Sequence, residues 1–398
     1  MRKRLSFLLC LVPLSICAQT QTQTQTDTTG SVSGHVYCAD TNQPARFATV
    51  LLQPPPHKFV PTEQPSPSPI ARTALDGSFH FTKVKAGTYY LLAEQPGYVS
   101  PIAKIPSIDI NNPDQAVVEN MEKALNKITV AANKDTTAEI ELERGAAIAG
   151  TIHYDDGSPA SSVEVSLFRQ EKDGKLAAVT LQLADRMGIV NPKTTVQTDD
   201  KGNFRISGLP AGKYVAETAF PTTSVSYAGL FGGPTLIDVR NNESAALRVY
   251  SGNVFRSKDA KAIEIVAGEE RDGADITIPL LGLHSINGSV VALSDGHPVN
   301  SGHILLLYAD DKTTLRDIDL DQDGRFSLAY VPEGEYILRV GGAADTVKET
   351  KQDGPMHYEV PKSVRSYGSV DQPIILHADV PSLIINVPEK SQPQKPSP

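Results

Sequence analysis

Three aspartates at alternate positions have the clearest chemical potential in this sequence. Asp319, Asp321 and Asp323 are separated by single residues, and Gly324 follows the third. Calcium prefers several oxygen ligands around a sharp turn, and the loop of an EF-hand begins with this spacing. The bidentate Glu that completes such a loop is missing, since Tyr330 stands at its twelfth position. The pattern therefore predicts either a calcium site, the only cofactor expected, or a solvated aspartate-rich turn.

Motifs of enzymes are missing from the chain. None of the nine His residues has a Glu three positions later, which is the spacing of a carboxypeptidase-type zinc site. No Gly-x-Ser-x-Gly nucleophile elbow, phosphate-binding loop or dinucleotide-binding glycine pattern occurs. We therefore predict a protein that is not an enzyme and has no catalytic residues.

Cysteine usage and charge exclude two further classes of protein. Cys10 and Cys17 fall in or beside the N-terminal apolar segment, which is expected to be removed on export. Cys38 then has no partner for a disulfide and is expected to be a small strand residue. The formal net charge is −9, and no basic stripe with interleaved aromatic residues occurs. Because phosphate binding depends on clustered Lys and Arg, nucleic acid is not an expected partner.

The N-terminus has the layout of a secretory signal peptide. A basic start precedes an apolar segment from Leu5 to Ile16, and small residues follow it. The segment is shorter than the ~20 residues of a spanning helix. We expect cleavage after Ala18 and export to the periplasm, the cell surface or the extracellular medium. The alternative is a lipid anchor at Cys17, although Ile16 stands where a lipoprotein signal has a small residue.

The rest of the chain repeats itself three times. Four signatures recur in order: apolar-x-Gly-x-apolar, a Pro six residues before an alternating apolar run, a Gly-x-Phe turn followed after ten residues by Tyr, and a closing alternating run. Apolar residues two apart are typical of half-buried strands. The landmark residues are Gly34, Gly150 and Gly288, then Pro44, Pro159 and Pro298, then the pairs Phe79–Tyr89, Phe204–Tyr214 and Phe326–Tyr336.

Each Phe–Tyr segment is expected to be a β-hairpin with a tight turn before each arm. Glycine before the Phe provides the positive φ that such a turn requires. A Pro-x-Gly turn precedes the Tyr at Pro210 and Pro332, and Lys85 replaces that Pro in the first copy.

The repeats predict an all-β fold of three tandem immunoglobulin-like or prealbumin-like β-sandwich modules joined by short linkers. Helical composition predicts short helices at Asp114–Leu125 and Val179–Met187. The expected parts are a signal peptide at 1–18, a low-complexity leader at 19–29, modules at 30–143, 144–281 and 282–388, and a disordered tail at 389–398.

The combined signatures resemble the carboxypeptidase regulatory-like domain, which is similar in shape to transthyretin-like and collagen-adhesin B-type modules. The resemblance covers nearly all of the chain after the leader. It implies β-sandwiches of seven or eight strands, of a type grouped with carbohydrate-binding-like folds. The motifs are specific for fold and not for function.

We therefore expect an exported, non-enzymatic modular protein for interaction or scaffolding at the cell envelope or outside the cell. Its expected partner is an envelope protein or a polysaccharide. One alternative is a carbohydrate-binding protein, because sugars stack on aromatic rings. The second alternative is an accessory subunit of a secreted or envelope enzyme. The aromatic residues outside the landmarks, which would stack on sugars or pin an insertion to its sandwich, are Tyr98, Tyr227, Phe231, Tyr250, Phe255 and Tyr367.

Overall fold

The computed structural model describes residues 28–55, 68–105, 115–184, 190–193, 195–228, 236–353 and 356–390. The predicted signal peptide, Cys17, and most of the leader and tail lie outside the described residues. In the part of the chain that the structure describes, no helix is long and apolar enough to cross a membrane.

The described residues between 29 and 142 fold as two sheets that enclose one core. In the first sheet β1 lies between β5 and β8, with β2 at its end, and the second sheet has the order β4-β3-β6-β7. The core contains Val32 and Phe79 from the first sheet and Val50 and Leu91 from the second. The strands are β1 (Thr29–Cys38), β2 (Gln43–Pro44), β3 (Thr49–Gln53), β4 (Ile70–Arg72), β5 (Ser78–Lys85), β6 (Gly87–Glu94), β7 (Asn126–Val130) and β8 (Asp135–Leu142).

A helical segment covers the outer face of the second sheet in this part of the chain. A short 3₁₀ helix (Pro101–Lys104) and α1 (Gln115–Ala124) place Ile102 and Met121 against Leu51 and Leu92 of the sheet. Strand β6 is therefore buried on both faces, which explains its continuous apolar run from Tyr90 to Ala93. The predicted helix at Asp114–Leu125 is confirmed.

The described residues between 146 and 278 form a second sandwich. One sheet pairs β9 with β15, β19 and β20, and the other has the order β11-β10-β16-β17 with β14 and β18 at its sides. The strands are β9 (Ala146–Tyr154), β10 (Glu164–Gln170), β11 (Leu176–Ala178), β12 (Gln182–Ala184), β13 (Val190–Lys193), β14 (Thr195–Gln197), β15 (Asn203–Leu209), β16 (Gly212–Ala228), β17 (Leu236–Tyr250), β18 (Ile263–Ile265), β19 (Glu270–Arg271) and β20 (Ile276–Ile278), with a 3₁₀ helix at Ser257–Asp259.

The described residues between 283 and 387 form the third sandwich. The sheet β24-β21-β28 faces the sheet β23-β22-β25-β26, in which β27 also pairs with β25. Their shared core includes Ile286, Phe326 and Tyr336. The strands are β21 (Leu283–Ala292), β22 (Ser301–Tyr308), β23 (Thr314–Asp319), β24 (Arg325–Pro332), β25 (Gly334–Asp353), β26 (Met356–Ser366), β27 (Val370–Leu376) and β28 (Val380–Val387).

The all-β fold with several sandwich modules is thus confirmed, and one topology repeats in it. In each sandwich the closing strand pairs in parallel with the first strand: β8 with β1, β20 with β9, and β28 with β21. The limits 30–143, 144–281 and 282–388 stay a prediction about which segments fold as units.

Two expectations about local structure are wrong. The strands that carry Phe and Tyr do not form a hairpin, because β5 pairs with β1 whereas β6 pairs with β3 in the opposite sheet. The chain crosses from one sheet to the other at this turn in all three sandwiches. The helix predicted at Val179–Met187 is also wrong where the structure describes it, since Gln182–Ala184 pairs as a strand with β13.

Candidate functional site

A cluster of four charged side chains joins the second sandwich to the third. Arg256 and Lys258 follow β17, and Asp310 and Asp311 lie in the turn after β22. Arg256 Nη1 lies 2.9 Å from Asp310 Oδ2, and Lys258 Nζ lies 2.7 Å from Asp311 Oδ2. The hydrogen bond from Arg256 lowers the pKa of Asp310 to about 2, and the bond from Lys258 lowers the pKa of Asp311 as well. Both carboxylates are therefore charged at neutral pH.

Aromatic rings line the same junction. The Arg256 guanidinium carbon lies 4.0 Å from the centroid of the Tyr308 ring, and the rings of Tyr308 and Tyr336 are 5.5 Å apart. Burial raises the pKa of Tyr308, so its hydroxyl stays protonated. The Tyr308 hydroxyl is buried and has no hydrogen-bond partner among the described residues.

Arg316 is a buried cation in the edge strand β23 of the third sandwich. Only 1% of its surface is exposed. Nη1 donates to the carbonyl of Leu315 at 3.0 Å and Nη2 to the carbonyl of Tyr330 at 3.1 Å, while Nε has no partner. Among the described residues no carboxylate forms an ion pair with it. Burial lowers the pKa of Arg316 to about 10, so it is still charged at neutral pH.

A cleft of about 500 Å³ brings these groups together. The second sandwich contributes Arg248, Tyr250 and Phe255, and the third contributes Tyr308 and Arg316. Arg248 forms an ion pair with Glu217, in which Nη1 lies 2.6 Å from Oε1. The cleft thus combines aromatic walls with a guanidinium that lacks a counter-ion.

The predicted calcium residues lie on a different turn, between β23 and β24. Asp319 ends β23, and the Asp321 carboxylate accepts the backbone N–H groups of Asp323 at 2.9 Å and Arg325 at 2.7 Å. Asp199 accepts the corresponding N–H groups in the second sandwich. The aspartate at this position therefore caps the turn.

In the part of the chain that the structure describes, no three His, Cys, Asp or Glu residues are arranged to hold a metal ion. Calcium binding by Asp319, Asp321 and Asp323 stays a prediction.

Three of the six aromatic residues that sequence analysis considered for sugar binding are buried. Tyr98, Tyr250 and Tyr367 belong to the buried set, and Phe255 packs against the core of the second sandwich. This burial favours the structural explanation, in which the rings pin loops and insertions to their sandwich. Cys38 is also buried, as expected for a small strand residue, whereas Phe231 lies outside the described residues.

Sequence analysis missed Arg316, Arg256 and Lys258, because no spacing rule marks them. The available signal was a pair of charged residues between apolar positions, since Arg316 and Asp317 stand between Leu315 and Ile318. An edge strand often shows this pattern with its charge in solvent, so only the three-dimensional structure reveals that Arg316 is enclosed.

A second cluster of polar side chains surrounds a histidine of the third sandwich. His297 bonds Asp295 through Nδ1, and its Nε2 lies 3.0 Å from Asp345 Oδ2. The hydroxyl of Tyr367 donates to the same Asp345 oxygen at 2.7 Å. The hydrogen bonds that its ring donates to the carboxylates of Asp295 and Asp345 raise the pKa of His297. This cluster ties the turn before β22 to strand β25.

No family model and no curated protein matches this sequence. Among solved structures, the Bacillus anthracis TIE protein is similar at 14% identity and TM-score 0.20, with 90% of this chain and 51% of that chain covered, so this chain spans about half its length. A streptococcal ancillary pilin gives 11% identity and TM-score 0.28, with 91% of this chain and 100% of that chain covered. The minor pilin of Streptococcus agalactiae gives 13% identity and TM-score 0.25, with 64% of this chain and 99% of that chain covered. These values do not bear on function, and the strand pairing itself establishes the fold.

Proposed function

We propose that this protein is an exported, non-enzymatic scaffold whose β-sandwich modules present an interaction surface to another protein of the cell envelope. The observation that carries the proposal is the direct contact between successive sandwiches. Loops at the ends of β-sandwiches are the usual positions of binding surfaces, and fixed junctions hold such loops in a defined relation to one another.

The first junction has no spacer. The backbone N–H of Gly145 donates to the carbonyl of Gly97 at 3.0 Å, and Arg144 bonds Asp40 at 2.8 Å while it covers the ring of Tyr98. A Cβ on Gly208 of the second sandwich would lie 2.6 Å from the carbonyl oxygen of Tyr98 in the first, so the two sandwiches approach closely. These contacts favour a scaffold over modules on free tethers.

The second junction is held by charge. Arg256 and Lys258 of one sandwich engage Asp310 and Asp311 of the next, and Leu283 packs against the core of the second sandwich although it begins the third. A network of four charges is more stabilising than an isolated surface pair.

Membership of the carboxypeptidase regulatory-like domain family is part of the same proposal. It is supported by the recurring Gly, Pro, Gly-x-Phe and Tyr signatures in equivalent strands of the three sandwiches. The proposed location outside the cytoplasm depends on the sequence of residues 1–18, and the lipid anchor at Cys17 remains the alternative form of export.

The proposal is tested by retention of purified residues 19–398 on isolated envelope material and on insoluble polysaccharides, each with calcium and with chelator. We expect saturable retention on envelope protein and no breakdown of peptides or glycans. Heat-unfolded chain is the control for adsorption. Hydrolysis that a point substitution abolishes would overturn the non-enzymatic assignment, and retention on one pure polysaccharide would establish the carbohydrate-binding alternative instead.

A further inference from the structure

We propose that the cleft between the second and third sandwiches binds a carboxylate-bearing ligand through Arg316. The proposal is independent of the scaffold role, since it depends only on the charges and unpaired polar atoms of this cleft.

The first step is the charge of Arg316. A buried cation without a counter-ion is unfavourable, because the interior does not replace the water it has lost. Two backbone carbonyls are its hydrogen-bond acceptors among the described residues, and the neighbouring Arg248 repels it. An anion in the cleft would neutralise this charge and accept hydrogen bonds from the unused N–H groups of Arg316.

The second step is the balance of charge around the cleft. Glu217 neutralises Arg248. Asp310 and Asp311 neutralise Arg256 and Lys258.

Asp317 also borders the cleft, but its side chain is exposed and makes no ion pair with Arg316 within the described residues. Arg316 is thus the cation of the cleft whose charge is not balanced by a contacting acid.

The third step is geometry. The free Nε and an adjacent Nη of a guanidinium form a fork that matches the two oxygens of a carboxylate. The buried hydroxyl of Tyr308, which lacks a partner in the described structure, borders the same cleft and adds a neutral donor. One singly charged group balances one guanidinium, so a carboxylate fits better than a doubly charged phosphate.

The fourth step is size. A volume of about 500 Å³ exceeds what one carboxylate occupies. The side chains of Tyr250 and Phe255 form the remaining wall, so the carboxylate would belong to a larger organic molecule with an apolar face.

The test is titration of residues 19–398 with acetate, glucuronate, phosphate and sulfate at matched ionic strength, with binding measured by calorimetry and stability by thermal unfolding. We expect saturable binding of the two carboxylates and a saturable rise in Tm. Arg316→Met and Tyr308→Phe are expected to weaken binding at least about tenfold, because each removes a hydrogen bond to a charged group. Arg325→Met removes an exposed guanidinium of the same sandwich and should leave binding unchanged.

The wild-type titration decides the proposal even if Arg316→Met fails to fold, and Tyr308→Phe removes only one hydroxyl. Absence of saturable binding by every anion would overturn the proposal. So would binding of phosphate and sulfate without the carboxylates, or an equal loss in Arg325→Met.

Discussion

One tyrosine recurs in each sandwich at the point where the chain crosses between sheets. The hydroxyl groups of Tyr89, Tyr214 and Tyr336 each donate to the carbonyl of the residue four positions earlier, at 2.9, 2.7 and 2.8 Å. The acceptor residue needs only its carbonyl, which explains why Pro is tolerated there in two copies and Lys85 in the first. The spacing of ten residues from Phe to Tyr therefore reflects a hydrogen bond that closes the crossing.

Substitution of Tyr336 by Phe tests this bond. Loss of the hydroxyl leaves the buried carbonyl of Pro332 without its partner, and we expect the free energy of unfolding to fall by about 1–2 kcal/mol. Urea denaturation measures the change. Tyr330→Phe is the matched control, since Tyr330 is 57% exposed in the same sandwich. Equal stability of the two variants would show that the recurring spacing serves only ring packing.

His297 provides a prediction about pH. Its pKa is raised by Asp295 and Asp345, so the charged histidine stabilises the fold. This contribution is fully present below the ordinary pKa of about 6.5 and is lost as pH rises through the higher folded value. Wild type should therefore lose more stability between about pH 6 and pH 9 than His297→Gln does.

Urea midpoints at the two pH values measure this difference. His377→Gln alters an exposed histidine of the same sandwich and should keep the wild-type pH dependence. A pH profile of His297→Gln that matches wild type would mean that the cluster does not titrate in this range.

At the scale of elements, the closing strand explains the glycine of the first signature. A Cβ on Gly288 would lie 2.5 Å from the carbonyl oxygen of Leu383 in β28, and 2.5 Å from the ring of Phe326. Gly34 and Gly150 face the carbonyls of Ala138 and Ala274 in the same way. Glycine is needed here for close approach of a neighbouring backbone.

Gly288→Ala is expected to destabilise the third sandwich by about 1–3 kcal/mol, because the added methyl forces the closing strand away from β21. Thermal unfolding of the full chain measures this. Gly282→Ala is the control, since nothing lies within 4 Å of a Cβ at that position. An unchanged Tm for Gly288→Ala would show that the closing strand adjusts at no cost.

The sequence was informative about elements and less informative about their partners. Apolar alternation located the strands around Gly34, Gly150 and Gly288, and helical composition located α1. The crossing between Phe and Tyr was mistaken for a hairpin, because alternation reports which face of a strand is buried and not which strand lies beside it. The helix predicted at Val179–Met187 is wrong where the structure describes the segment, because a short apolar run does not distinguish a helix from a strand.

At the scale of the whole molecule, the candidate cleft was not predictable. Its residues come from two sandwiches, and in the sequence a residue such as Arg256 or Asp311 cannot be distinguished from an ordinary surface residue. The charge cluster forms only because β17 of one sandwich is followed by a segment that reaches the β22–β23 turn of the next. Repeat signatures describe modules and carry no information about the surfaces that modules share.

The last prediction concerns the charge cluster between the second and third sandwiches. Asp310→Asn combined with Asp311→Asn removes both carboxylates from the cluster and leaves Arg256 and Lys258 without counter-ions. We expect the second and third sandwiches to move relative to each other, since the remaining covalent connection at 279–282 is short but includes exposed residues. Spin labels at Lys175 and Asp323, which are 84% and 70% exposed, should then give a broader distance distribution.

Asp371→Asn breaks a similar pair, that of Asp371 with Arg339, inside the third sandwich and is the matched control. Salt at about 1 M shortens the Debye length to about 3 Å and should broaden the wild-type distribution toward that of the double variant. A narrow distribution in the double variant would mean that the packing of Leu283 and the short connection, not the four charges, fix the junction.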